Sequence, residues 1–427
     1  MDEFNRVIGY DPIKNELRKL SDMFKNGKYY EALGATLPRG LILYGDPGLG
    51  KTLLADCFIK ECGVRAYTVR ATDGGVALAD HITSVFREAR ENAPCIILLD
   101  DMDKYANEDV NHKDAKEYIA IQTGIDESRE HEVFVIATVN NMRKLPDSLK
   151  RAGRFDKRIK IDTPFGKEAE DIVMHYLSTK KVSRSVELSD ISKSMDYISC
   201  ADIETIINNA TVNAAHKRKS SIETEDIMTE LLSREYGRPY RYEKTSTVSS
   251  MKAAVHEMGH LIVSEMVSPG SVGLISVLVT EKETKGYVHT CEVNRDEDSE
   301  ILVCLAGKAA VEIVYPGEIA EGCSNDISEA IMNIRHNVLY NGSLGFALLD
   351  VNYHQAVDEY PSETIRLNTE TIIRAELERY MLKAKKMLEI NMDFLRNGAK
   401  ELLEKGYLMY SDIQILKGKY SFTMNCF

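Results

Sequence analysis

Gly45-Asp46-Pro47-Gly48-Leu49-Gly50-Lys51-Thr52 limits what this chain can fold into more than any other stretch. It has the spacing GxxxxGK[ST], and it lies between the apolar run Gly40-Leu41-Ile42-Leu43-Tyr44 and a helical segment from Thr52 to Glu61. That is the strand–loop–helix context such a loop requires. The glycines let successive backbone N–H groups turn towards phosphates. Lys51 neutralises β/γ charge, Thr52 offers a hydroxyl to Mg²⁺, and the helix N-terminus adds its dipole. A bare glycine-rich turn is the plain alternative. A second half of a nucleotide site, at the right distance, argues against it.

That second half is the run Cys95-Ile96-Ile97-Leu98-Leu99, which ends in Asp100-Asp101. Asp100 is placed to hold the water shell of Mg²⁺, and Asp101 to polarise an attacking water. A further run, Val133-Phe134-Val135-Ile136-Ala137, continues to Asn140, which can orient that water. Short continuous apolar runs of this kind suit strands buried on both faces of a parallel sheet, so the first third reads as α/β. Arg151-Ala152-Gly153-Arg154-Phe155-Asp156 follows. Two arginines after the last of these strands suit fingers that reach a neighbour's γ-phosphate.

From about Pro164 to Ser233 the pattern is helical throughout, and Tyr236-Gly237-Arg238-Pro239-Tyr240 reads as a linker. Beyond it lies a second chemical signature, Val255-His256-Glu257-Met258-Gly259-His260. On a helix, His256 and His260 stand one turn apart on one face and can reach one tetrahedral Zn²⁺. Glu257 beside them can take a proton from water at the metal. The rest is mostly helical, with long amphipathic helices from Glu363 to about Leu403. The exception is a hairpin of Ile275–Val279 and Tyr287–Val293 across Lys282-Glu283-Thr284-Lys285-Gly286.

Composition narrows the setting. Of 427 residues, 54 are Lys or Arg and 67 are Asp or Glu, a net −13 that argues against a nucleic-acid surface. Eight cysteines are scattered without a CxxC pair, which suits buried thiols in a reducing compartment. No run approaches the roughly 18 apolar residues of a membrane helix. The start, Met1-Asp2-Glu3-Phe4, has no basic region or apolar segment of a signal peptide. The expectation is a cytoplasmic chain that encodes no membrane contact; membrane association would need an N-terminal anchor outside it.

In their order these motifs resemble the FtsH family of AAA+ zinc metalloproteases. The resemblance runs from about Val7-Ile8-Gly9 to Leu416. It takes in Asn92-Ala93-Pro94-Cys95, Ser199-Cys200-Ala201-Asp202, Leu305-Ala306-Gly307-Lys308-Ala309-Ala310 and Gly322-Cys323-Ser324-Asn325-Asp326. It implies an AAA+ α/β nucleotide-binding domain over 1–163, a small helical lid over 164–238 and a mostly helical zinc metallopeptidase domain over 239–427. It implies ATP, Mg²⁺ and Zn²⁺ as cofactors and a homo-hexameric ring that feeds protein substrates to peptidase sites. In such a ring Arg151 and Arg154 act in trans, the backbone near Ala201 lies by the adenine, and Asp326 is the third protein ligand to zinc. Glu321 and Glu329 are nearby competitors for that last role. The strand Leu274–Thr280 would be an edge able to pair with an extended substrate, or would simply pack.

The chain also departs from the family pattern. Asp46 and Leu49 replace a Pro and a Thr in the glycine loop, where no side chain is needed for phosphate contact. Asp101 replaces a glutamate and is one methylene shorter, which predicts slow hydrolysis or a shifted loop; positioned proton transfer is typically worth about 10²–10⁴ in rate. The segment Arg70–Leu78 has no aromatic to grip a threaded chain, leaving Val76 and Leu78 as its apolar candidates. The segment Glu108–Thr123 lacks a glycine-rich second loop, and Gly124-Ile125-Asp126 replaces a segment that senses the neighbour's nucleotide. The leading expectation is an ATP-dependent zinc endopeptidase. The alternatives are a zinc peptidase whose nucleotide module is an assembly switch of weak unfolding power, and a remodelling ATPase with a scaffold peptidase half.

Overall fold

The structure is a computed structural model. It describes all residues except 1, 37, 72–77, 107–114, 241, 243–246, 280–283, 292–294, 318–321, 339–362 and 425–427. The chain divides into two compact units, Met1–Lys181 with Tyr197–Asn209, and Val182–Asp196 with Ala210–Phe427.

The first unit contains α1 (Asp11–Lys25), α2 (Gly27–Glu31), β1 (Gly40–Tyr44), α3 (Lys51–Cys62), β2 (Arg65–Val69), α4 (Leu78–Glu91), β3 (Cys95–Leu99), α5 (Lys116–Glu127), β4 (Val133–Val139), β5 (Lys157–Lys160) and α6 (Lys167–Ser178). Its sheet is parallel throughout, in the order β2-β3-β4-β1-β5. The three runs read as buried strands are its three inner strands, β3, β4 and β1. The two outer strands were not expected: β2 is Arg-Ala-Tyr-Thr-Val and mostly exposed, and β5 is Lys-Arg-Ile-Lys. Edge strands bury one flank only, so they lack the continuous apolar run that marks an inner strand. Helix α4 covers the sheet through Ile82, Val85, Phe86 and Ala89, the spacing of one helical face. Phe86 in turn packs so closely on Gly124 of α5 that a Cβ there would lie 2.4 Å from its ring.

Because β3, β4 and β1 are adjacent and parallel, everything that leaves their carboxyl ends gathers along one rim of the sheet. Asp100-Asp101, Asn140 and the glycine loop all leave there. This is where open α/β sheets hold ligands.

The second unit begins in α7 (Leu188–Lys193). Helix α8 (Cys200–His216) starts among first-unit residues and ends among those of the second. Then come α9 (Thr224–Glu235), α10 (Val248–Val267), β6 (Val272–Val279), β7 (Thr284–Thr290), α11 (Glu297–Val314), α12 (Ser324–His336), α13 (Glu363–Ile390), α14 (Met392–Lys405), β8 (Tyr407–Met409) and α15 (Tyr410–Lys419). Helix α10 starts at a capping box of Thr247 and Ser250 and is apolar nearly all round, as befits a helix at the centre of a core. It packs on α11, where a Cβ on Gly259 would lie 2.5 Å from the Ala306 carbonyl oxygen.

Two expectations are corrected here. The strand from Leu274 is not an edge. The antiparallel sheet runs β7-β6-β8, so β6 is its middle strand and β7 is outermost. The three-residue β8 that covers β6 is too short to show in a sequence pattern. The expected turn also ends early, since Thr284, Lys285 and Gly286 belong to β7. Gly286 reads as a turn residue, but it pairs with Val277 inside the ladder. The expected end of that strand, Val293, lies outside the described residues.

The segment read as a linker is packed in place. Tyr236 stacks on Tyr240 with ring centroids 5.9 Å apart, its hydroxyl lies 2.7 Å from Ser276 Oγ, and Tyr240 donates to the Gly406 carbonyl. Among the described residues the seven cysteines form no disulfide, and six of them are buried. Among the same residues no helix is long and apolar enough to cross a membrane.

Candidate functional site

In the second unit, His256 Nε2 and His260 Nε2 lie 3.0 Å apart, and Asp326 Oδ2 lies 3.1 Å from the first and 3.5 Å from the second. Three ligands on a tetrahedral zinc, at bonds of about 2.0–2.1 Å, would sit about 3.3 Å from one another. The donor chemistry fits as well. His260 Nδ1 faces the Val303 carbonyl oxygen at 2.8 Å. A carbonyl only accepts, so Nδ1 carries the hydrogen and Nε2 presents its lone pair to the centre.

Helix spacing supplies the two histidines, and the first turn of α12 supplies Asp326. Among the described residues, these three form the one group of His, Cys, Asp and Glu placed to share an ion. Of the two competing glutamates, Glu329 is exposed on α12, and Glu321 lies outside the described residues. The imidazoles hold the Asp326 carboxyl well below the usual range, although burial pushes it the other way.

Two glycines that motif reading did not single out for chemistry shape this centre. A Cβ on Gly307 of α11 would lie 2.5 Å from both His256 Cε1 and His260 Nε2. A Cβ on Gly286 of β7 would lie 2.1 Å from Glu257 Oε1. The rings and the carboxylate therefore occupy space that any side chain at 307 or 286 would take. Glu257 is 9% exposed, and burial pushes its carboxyl up against the pull of the imidazoles. The centre opens into a cleft of about 1220 Å³, also lined by Tyr236, Lys252, Lys285 and Tyr287.

In the first unit the glycine loop wraps Lys51, which is 6% exposed and donates to the Gly45 and Asp46 carbonyls. Burial pulls its ammonium below the ordinary lysine value. A buried cation whose hydrogen bonds go to loop carbonyls suits an incoming polyphosphate. Gly48 takes φ 81 and packs against Ser199 and Ala201, and the Ala201 N–H donates to the Gly48 carbonyl at 3.1 Å. Ala201 is thus brought to the loop itself. Leu49 is buried, and Pro47 and Gly50 complete the turn into α3, with Gly50 as its left-handed cap.

Asp100 Oδ1 accepts from Thr52 Oγ1 at 2.9 Å and from Thr138 Oγ1 at 2.8 Å. Asp101 Oδ1 accepts from Asn140 Nδ2 at 3.2 Å. Asp103, buried at the base of the site, accepts from the N–H groups of Asn140 and Asn141 and so fixes the end of β4. Thr138 and Asp103 were missed. The available signal was a threonine within an otherwise apolar strand, and a third acid two residues after the pair.

The two arginines part company. Arg151 is exposed and makes no side-chain bond among the described residues. Arg154 is turned inward: it donates to Asp126 at 2.7 Å, to Gln122 at 3.2 Å and to the Ser148 carbonyl at 2.7 Å. Both arginines were expected to act in trans, and they differ in this chain: Asp126 holds Arg154, and among the described residues no such partner holds Arg151. Of the substrate-gripping candidates, Val76 lies outside the described residues and Leu78 opens α4. Of the segment Glu108–Thr123, read as lacking a glycine-rich second loop, residues 108–114 also lie outside them.

Comparison with known proteins matches two successive segments of the chain to known families. The model of the ATPase family associated with various cellular activities (AAA) matches residues 41–163, and that of peptidase family M41 matches residues 244–416. The ATP-dependent zinc metalloprotease FtsH of Caldicellulosiruptor bescii is 28% identical over 94% of this chain and 70% of its own length. That of Mycoplasma pneumoniae is 29% identical over 97% of this chain and 62% of its own. FtsH 3 of Symbiobacterium thermophilum is 30% identical over 97% and 70%. The chain spans only part of each of these relatives, less than two thirds of the Mycoplasma one. With an AAA segment ahead of an M41 segment and this coverage, the chain belongs to the FtsH family of ATP-dependent zinc metalloproteases.

Proposed function

We propose that this chain cleaves protein or peptide substrates at the His256–His260–Asp326 centre, with Glu257 as general base, and that ATP turnover in a homo-hexameric ring delivers those substrates. The observation that carries the reading is the convergence of three lone-pair donors beside a buried glutamate in an open cleft. Zinc held there would act as a Lewis acid and bring the pKa of water to about 7. Glu257 accepts the proton of the attacking water on its carboxylate and returns it to the leaving nitrogen. The outermost strand β7, which carries Gly286 past Glu257, is the edge on which an extended substrate would align.

On the nucleotide side, the N–H groups of 45–50, with Lys51, would cradle the phosphates of ATP. Thr52 and Asp100 would hold Mg²⁺, Asp101 and Asn140 would position water, and Ala201 would border the base. Arg151 is the residue free to act in trans. We divide the chain into a nucleotide-binding domain (1–163), a lid (164–238) and a peptidase (239–427); the AAA match ends at 163 and the M41 match, 244–416, falls within the last. A reducing, cytoplasmic setting suits cysteines that form no disulfide among the described residues.

A second reading, a zinc peptidase with a nucleotide-dependent assembly switch, is favoured by the inward Arg154 and the engaged Asp101. One digestion series separates the two. An unfolded protein and a short peptide are incubated with wild type, Lys51→Ala and Glu257→Gln, with and without ATP. The main reading expects protein degradation to need ATP and Lys51, and both substrates to need Glu257. Cleavage of both substrates regardless of ATP would favour the switch. Proteolysis undiminished in Glu257→Gln would sink the zinc-peptidase reading altogether.

A further inference from the structure

The carboxylate that must position water in the nucleotide site is engaged on both oxygens. Asp101 Oδ1 accepts from Asn140, and Oδ2 accepts from Lys104 Nζ at 2.6 Å. Lys104 ends the short 3-10 turn Met102–Lys104, which Asp101 enters with φ 53. That left-handed conformation is uncommon for a residue other than glycine and persists where neighbours hold it. Here the Asp101 N–H donates to Thr138 Oγ1 at 2.7 Å, and the Lys104 N–H returns to the Asp101 carbonyl at 2.9 Å. The turn therefore folds Lys104 back over the aspartate three residues before it.

The bonds to the carbonyls of the phosphate loop come from Lys51, not from Lys104. Among the described residues its ammonium pairs with the Asp101 carboxylate. A carboxylate drawn onto an ammonium is not directed at a water.

We propose that Lys104 is a positioning residue that latches Asp101, so that ATP hydrolysis proceeds only from the fraction of molecules in which the pair is open. The proposal rests on Asp101 being the water-positioning residue of an ATPase. Its size follows from exposure. The two side chains are 57% and 39% exposed, and an exposed pair of this kind favours its closed form by up to about fivefold. Removing the latch therefore raises turnover without changing nucleotide affinity. The shortness of Asp101 and the latch act in the same direction, towards a slow resting rate.

The test uses the full chain as wild type, Lys104→Met and Lys104→Arg, with Lys51→Ala as the control for nucleotide binding. Steady-state ATPase gives kcat and KM, and titration with a fluorescent ADP analogue gives affinity independently of turnover. The expected result is a two- to fivefold higher kcat in Lys104→Met, with unchanged ADP-analogue affinity and a wild-type kcat in Lys104→Arg. Added salt, which screens exposed pairs, should narrow the gap between wild type and Lys104→Met. If wild type hydrolyses ATP and Lys104→Met is no faster, the latch is wrong and the ATPase reading stands. If both bind nucleotide and neither hydrolyses it, the ATPase reading fails and takes the latch with it. Should Lys104→Met not fold, a Lys104→Arg enzyme whose kcat does not respond to salt overturns the latch by itself.

Discussion

The zinc-type centre and the nucleotide site are built on opposite plans. The first is made of side chains whose positions are set by three helices, α10, α11 and α12, and the strand β7. His256 and Glu257 are neighbours on α10 with His260 one turn further, and Gly307 and Gly286 leave the space that the rings and the carboxylate fill. The second is made largely of backbone, and its functional side chains are bonded to one another or to neighbours in the same chain. Lys51 lies on loop carbonyls, Asp101 on Lys104, and Arg154 on Asp126. A centre of the first kind is ready once its ligands meet. A site of the second kind must exchange internal bonds for those of a nucleotide and a neighbour before it can turn over.

Four substitutions probe the contrast, the largest expected effect first. Glu257→Gln should lower peptide hydrolysis by about 10²–10⁴ while zinc content, measured by metal analysis, stays near one per chain. Loss of zinc in that variant would mean that Glu257 helps to hold the metal and that the division of labour drawn here is wrong. Gly286→Ala forces Glu257 aside, and a misplacement of about 1 Å costs on the order of 10² in rate. This should appear in kcat with zinc retained, and an unaltered kcat would show that β7 yields easily.

Gly307→Ala tests the same packing from the metal's side. Its Cβ meets both imidazoles, so zinc affinity in a chelator competition should fall by about 10–100-fold, as for other disruptions of ligand support. The smallest effect belongs to the nucleotide unit. Asp126→Ala leaves a largely buried Arg154 without its carboxylate and should cost about 1–3 kcal/mol of stability, read from chemical denaturation followed by a probe in the first unit. If the same change raises ATP turnover by freeing Arg154, the inward arginine is a restraint on assembly and not only a brace. In all four, the nucleotide-site control Lys51→Ala should leave zinc content and short-peptide cleavage near wild type.

Much of both sites was legible because their chemistry is local. The glycine loop, the acidic pair and HEMGH each occupy a few consecutive residues, and helical or strand spacing alone orients them. The parallel sheet was legible through β1, β3 and β4, whose burial on both faces writes a continuous apolar run. It was not legible through β2 and β5, where one flank meets solvent. The hairpin was misread at Gly286 because glycine carries two meanings: a left-handed turn, or a backbone passing close to something. In this chain the something is Glu257, 29 residues earlier.

The sequence by itself therefore determined the two chemistries and the order in which the chain presents them, since each rests on side chains within one or two turns of each other. Tertiary structure alone decided which distant residues complete them. It brought Asp326 to the histidines, the Val303 carbonyl to His260 and Ala201 to Gly48. It made β7 the sheet edge in place of β6, and it turned Arg154 onto Asp126 and Lys104 onto Asp101. These depend on how helices and strands pack, and packing answers to shape and burial across the whole fold, which no short pattern of residues records.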